Sequence, residues 1–152
     1  MSDNTQTTLA GGDAARAERI NEVAAQLATG NLRLPDGLPF GMGADAVMQH
    51  DVTLREMTGS DIIDAQTAAE RVVQTAQGPQ LVSSPSLMGW ETLRRQIGKV
   101  GCIDGPLSMA QLRQLSERDL EFLLIAVELK GSALVAQMAA AQGRLVAVSE
   151  TD

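Results

Sequence analysis

The chain has 152 residues, a formal charge of −7 and a pI near 4.6. That balance excludes a phosphate-tracking nucleic-acid surface, which needs a basic patch, and a polybasic membrane-surface protein. A single cysteine, Cys102, excludes an internal disulfide. Hydrophobic residues make up 44% of the chain, yet its only aromatics are Phe40, Trp90 and Phe122. Ala, Leu, Val, Ile and seven Met must therefore build the core, and Met makes such a core adaptable.

In chain order, residues 1–12 are polar and read as a disordered leader. No basic region followed by an apolar run marks a secretory signal there, and no stretch reaches the roughly 18–20 apolar residues that span a bilayer. Asp13 is placed to cap a peripheral helix within 13–30. Ala17, Ile20, Val23, Ala24 and Leu27 recur at helical spacing, and Gly30 closes it.

A single globular domain is expected over 31–142. Residues 31–57 hold Pro35, Pro39, Gly37, Gly41 and Gly43 between alternating apolar and polar positions, the pattern of a β-hairpin. Thr58-Gly59-Ser60-Asp61 opens a helix with Ser60 as cap and Asp61 and Asp64 at its positive end. Ile62 to Ala76 extend its apolar face to about residue 77, where Gly78-Pro79 stops it. A third helix is predicted over 87–100, with Trp90, Leu93, Ile97 and Val100 on one face and Arg94 and Arg95 pointing away.

Ser108 caps a short helix over 109–115. Ser116-Glu117-Arg118-Asp119 then resembles a capping box with Asp in place of Glu. It opens the most apolar segment, with six consecutive apolar residues from Phe122 to Val127. Such a helix is central to a domain or lies in an interface. Leu120, Leu123, Leu124 and Val127 form the face expected to pack inward. Phe122, Ile125 and Leu129 lie on another side, which is either further core or a partner surface. After Lys130-Gly131 a separate Ala-rich helix is expected to Gln142, followed by a flexible tail over 143–152. The fold class is α+β, mainly helical, with a small N-terminal hairpin on about four helices. Incompletely covered surfaces predict a homo-oligomer.

The chemistry-bearing residues form no catalytic constellation. His50, the sole histidine, sits in a strand-like segment and reads as structural. His50 and Cys102 cannot complete a structural zinc site, which takes four ligands. Asp61 and Asp64 read as helix-dipole partners rather than an acid–base pair. Gly41-Met42-Gly43 lacks the third glycine of a dinucleotide fingerprint. No cofactor and no metal are expected. Residues 108–129 are not a helix-turn-helix, because Glu117 and Asp119 stand where a recognition helix needs basic or polar readers.

Two segments carry a family resemblance. One is the strand-to-helix passage from Asp51 through Leu54, Arg55, Met57 and Thr58 to Asp61. The other runs from Gly105-Pro106-Leu107-Ser108 to Leu115-Ser116 and Asp119-Leu120. From about Val47 to Gly131 the chain resembles the tail assembly chaperones of Mu-like, contractile-tail phages. The resemblance implies a non-catalytic protein that coats the helical tape measure protein in the cytoplasm of the bacterial host and is absent from the mature virion. It also implies a longer, frameshifted product of the same gene as a possible partner. A structural virion or baseplate component is the alternative, and a ligand-binding enzyme subunit or regulator stands third.

Overall fold

The computed structural model describes residues 3–149, with side chains from 11 to 143. The chain divides into two compact units: Asn31–Leu123, and the residues up to Gly30 together with those from Leu124 onward.

The 31–123 unit is built on a four-stranded antiparallel sheet whose strands, in spatial order, are β1 (Leu32–Phe40), β2 (Val47–Leu54), β5 (Ile97–Val100) and β6 (Ile103–Asp104). Strands β1 (Leu32–Phe40) and β2 (Val47–Leu54) form the expected hairpin. The register shifts between Arg33 and Leu38, so β1 bulges there. Gly37 lies in the bulge at φ +98, a conformation that favours glycine. A Cβ on Gly37 would also meet the Gln49 carbonyl oxygen and His50 Cε1 at 3.0 Å.

Helix α2 (Gly59–Ala68) starts at a capping box on Thr58, two residues before the expected cap Ser60. The Thr58 hydroxyl accepts the Asp61 N–H, and the Asp61 carboxylate accepts the Thr58 N–H. Arg55 grips both Asp61 oxygens at 3.0 Å. These bonds, Arg55 first and the Thr58 N–H second, hold the Asp61 carboxyl well below the usual carboxylate range.

The helix ends far short of residue 77. At Ala69 the chain turns into a second hairpin, β3 (Glu70–Thr75) and β4 (Gly78–Ser83). Ala69 accepts the Ser84 N–H at 3.0 Å, which starts the ladder. Val72, Val73 and Thr75 are β-branched, so the strand suits them better than a further helical turn.

Helix α3 (Pro85–Gln96) is capped by Ser84 and stops at Ile97, where β5 (Ile97–Val100) begins. The predicted helix over 87–100 is thus shorter at its end. Arg95 does not point away: it is buried with Glu91, to which it is hydrogen-bonded. Strand β6 (Ile103–Asp104) and helix α4 (Met109–Gln114) follow, with Ser108 and Gln111 forming a full capping box. Leu34, Leu38, Leu93, Ile97, Leu107 and Leu123 are fully buried and form the centre of this unit's core.

Helix α5 (Glu117–Ser149) is one unbroken helix. The separate helix after Lys130 and the flexible tail from 143 give way to it as far as Ser149, and the last three residues lie outside the described part. Gly131 costs about 1 kcal/mol in a helix interior, and strong helix formers on both sides outweigh it. Glu117–Gly143 is long and apolar enough, by length and composition, to cross a bilayer. This corrects the expectation that no segment reaches that length. Its first turns, however, lie in the core of the 31–123 unit, where Asp119 and Leu123 are fully buried.

In the other unit, helix α1 (Asp3–Thr29) begins ten residues before Asp13, through most of the segment expected as a leader. Residues 1 and 2 lie outside the described part. Val23 is buried and Ile20 and Leu27 are half-buried, as the periodicity predicts, whereas Ala17 and Ala24 are exposed.

Candidate partner-binding surfaces

In the 31–123 unit, three helical segments line an open apolar groove of about 320 Å³. Leu87 and Trp90 come from α3, one turn apart. Met109, Leu112 and Arg113 come from α4 at the same helical spacing, and Leu120 comes from the first turn of α5. Leu87, Trp90, Met109 and Leu120 are half-buried, and Arg113 is exposed at the rim beside Ser86. A concave apolar site with one cation at its edge can take a large apolar side chain next to an acidic or polar group.

Polar bonds fix the walls of this groove. The Glu91 carboxylate, on α3, accepts from Arg94 Nε at 2.8 Å and from Arg95. Burial pushes the Glu91 carboxyl up, but the hydrogen bonds from Arg95 and Arg94 outweigh it and the net shift is downward. Arg94 also donates to the Leu107 carbonyl at 3.2 Å and receives the Leu107 N–H on its own carbonyl. Helix α3 is thereby tied to the loop that leads into α4.

The start of α5 is fixed by Asp119. Ser116 Oγ accepts the Asp119 N–H at 3.1 Å, as a cap should. The Asp119 side chain does not return the bond to Ser116. It reaches β1 instead and accepts the Asp36 and Gly37 N–H groups, each at 2.9 Å. Ser116 in turn donates to the Asp36 carboxylate at 2.6 Å.

In the other unit, α5 presents a second apolar surface. Leu124, Leu134, Val135 and Met138 are 42%, 47%, 67% and 58% exposed. Their spacing keeps them on one side of the helix. From Gly131 to Gly143 the helix carries no charged residue.

The sequence-predicted surface falls elsewhere. Phe122 and Ile125 are buried and Leu129 is half-buried, whereas Leu124, expected inside, is exposed. The inward arc of α5 is centred on Leu123, Phe122 and Ala126, about one residue round from the expected one. A run of six apolar residues has no polar side to set its rotation, which is why its sequence alone misplaces the outward arc. His50 is structural, as expected: its Nδ1–H donates to the Leu34 carbonyl at 2.9 Å.

Among the described residues, the surfaces that stand out are an apolar groove and an apolar helix side. The chain matches the family described as Tail assembly protein gp41 over residues 34–144, and it belongs to that family. It is 53% identical over 133 residues to the probable tail assembly protein gp41 of Escherichia phage Mu, covering 88% of this chain and 92% of the relative. It is also 53% identical over 126 residues to the probable tail assembly protein FS-gp41 of the same phage, covering 83% of this chain and 67% of the relative. A Mu-like prophage protein gp41 of Haemophilus influenzae is 46% identical over 115 residues, 75% of this chain and 87% of its own. No solved structure matches the chain.

Proposed function

We propose that this protein acts in phage tail assembly as a non-catalytic chaperone that binds the tape measure protein before the tail tube forms around it. The observation that carries this reading is the apolar side of α5: Leu124, Leu134, Val135 and Met138, exposed on a helix with no charge from Gly131 to Gly143. A long amphipathic helix exposes a stripe of the same kind, and two such stripes cover each other side by side. The net charge of −7 keeps the complex soluble. The groove at Trp90 supplies a second holding point of the helix-in-groove type.

In this reading the protein works in the bacterial cytoplasm, leaves before the virion matures and works as a homo-oligomer. A longer product of the same gene is a further partner. The relative covered over only 67% of its length is in keeping with two products that share a region.

Co-expression with the tape measure protein of the same genome, followed by pull-down, tests the proposal. Co-purification of a tape measure that is insoluble alone, lost in Val135→Asp, is expected. No binding by a folded wild-type chain sinks the proposal. Recovery of the chain from purified mature particles by mass spectrometry favours the structural virion or baseplate reading instead.

A further inference from the structure

Among the described residues, the β3–β4 hairpin is exposed on both faces. All six residues of β3 are exposed, as are five of the six in β4. Val72 and its register partner Leu81 share one face at 68% and 64% exposure. Val73 and Val82 lie on the other face at 43% and 41%. A two-stranded ladder is barely stable in water by itself, and apolar side chains on both faces add to the cost.

The direction of its free main-chain groups follows from two facts. Ser84 donates its N–H to the Ala69 carbonyl, so the 69–84 pair is hydrogen-bonded. In an antiparallel ladder such pairs alternate with non-bonded ones. Arg71, Val73 and Thr75 therefore bond inward to β4, and Glu70, Val72 and Gln74 turn their main-chain groups outward. Pro79, opposite Gln74, fits this parity, because its ring nitrogen has no hydrogen to give the ladder.

The two edges are not equivalent. Along β4, Pro79 removes an outward donor and blunts that edge. Along β3 there is no proline. Its one guard is Arg71, whose guanidinium donates to the Glu70 carbonyl at 3.0 Å. Val72 and Gln74 remain open.

We propose that the outer edge of β3 docks the same edge of a second copy of this chain, with a two-fold axis at Val72 and a four-stranded sheet β4-β3-β3-β4 as the product. The charge pattern selects the copy and the register. With Val72 opposite Val72, Glu70 faces Gln74 and Arg71 faces Val73, so no like charges meet. All three outward residues of each strand find partners. A two-residue slip one way sets Arg71 against Arg71, a repulsive pair. A slip the other way leaves Glu70 unpaired. The sheet then carries Leu81, Val72, Val72 and Leu81 in one apolar row. Pro79 on both far edges stops further strands, so the contact closes as a dimer instead of extending. This interface is separate from tape measure binding and is tested without that partner.

The test is the mass in solution of the full chain by size-exclusion chromatography with light scattering. Wild type is expected to be dimeric. Val72→Pro removes an outward donor that the hairpin does not use, and Val72→Lys puts two like charges on the axis. Each is expected to weaken the dimer at least tenfold while circular dichroism and melting of the chain stay near wild type. A monomeric wild type, or a dimer that survives Val72→Lys, overturns the proposal.

Discussion

Asp119 accepts the Gly37 N–H at 2.9 Å across 82 positions of sequence, and it does so at zero exposure. A helix-start residue thereby completes a strand bulge. Because the Asp36 N–H uses the other oxygen, loss of this one side chain leaves two main-chain donors without partners. Asp119→Ala is expected to cost about 3 kcal/mol, in the range for hydrogen bonds to a buried charge. Asp119→Asn keeps one acceptor and is expected to cost less. Urea unfolding of the two variants checks both the size and the order.

Leu123 and Leu124 are neighbours with opposite fates, at 0% and 42% exposure. Leu123→Asp buries an unpaired charge and is expected to leave no folded protein. Leu124→Asp, which the sequence alone marks as an unfolding change, is expected to shift stability by less than about 1 kcal/mol. Thermal melts of the two single variants decide the matter.

Glu91 contributes through a depressed carboxyl, so the sign of its pH effect is fixed. A carboxylate whose folded value lies below its ordinary value near 4.5 stabilises the fold above that ordinary value. The contribution fades as pH falls through the lower folded value. Glu91→Ala is expected to destabilise by about 3 kcal/mol at neutral pH, because it leaves Arg94 and Arg95 without their anion. The difference from wild type is expected to shrink steadily as the solution is acidified below the ordinary carboxylate range. Chemical denaturation at several pH values checks this, and a constant difference refutes it.

Trp90 is the only tryptophan and it lines the groove. Its fluorescence therefore reports on that site alone. Binding of an amphipathic tape measure segment in the groove is expected to shift its emission to the blue. Met109→Lys, at a half-buried lining position, is expected to abolish the shift with the fold intact. A bound segment that leaves the emission unchanged places binding elsewhere.

Much of this architecture is legible in the chain because it rests on local chemistry. The β1–β2 hairpin follows from alternation between glycine- and proline-rich turns. The helix start at Ser108 follows from a capping residue whose partner lies three positions on, whereas in Thr58-Gly59-Ser60-Asp61 the expected cap Ser60 gives way to Thr58, whose partner Asp61 has that same spacing. The β3–β4 hairpin is harder to read, because Ile62, Ala65, Ala69 and Val72 also satisfy helical spacing. The distinguishing signal is the β-branched Val72, Val73 and Thr75 just before Gly78-Pro79, with the apolar pair Leu81-Val82 following it. The rotation of α5 is not legible at all in a segment apolar all round. It is set by contacts distant in sequence, chief among them the bonds of Asp119 to Asp36 and Gly37. The buried Arg95 escapes detection for a similar reason: its partner Glu91 is visible one turn earlier, but its burial is not.

The bond between Asp119 and β1 lies just before Leu123, where the 31–123 unit ends. Every element that walls the Trp90 groove has therefore entered the chain by that point. Two polypeptides identical through Leu123 and unrelated afterwards would carry the same groove, folded by the same contacts. The remainder of α5 lines no part of the groove, so a change of sequence beyond the buried Ile125 and Ala126 would alter the exposed helix side at Leu134, Val135 and Met138 and leave the groove as it is.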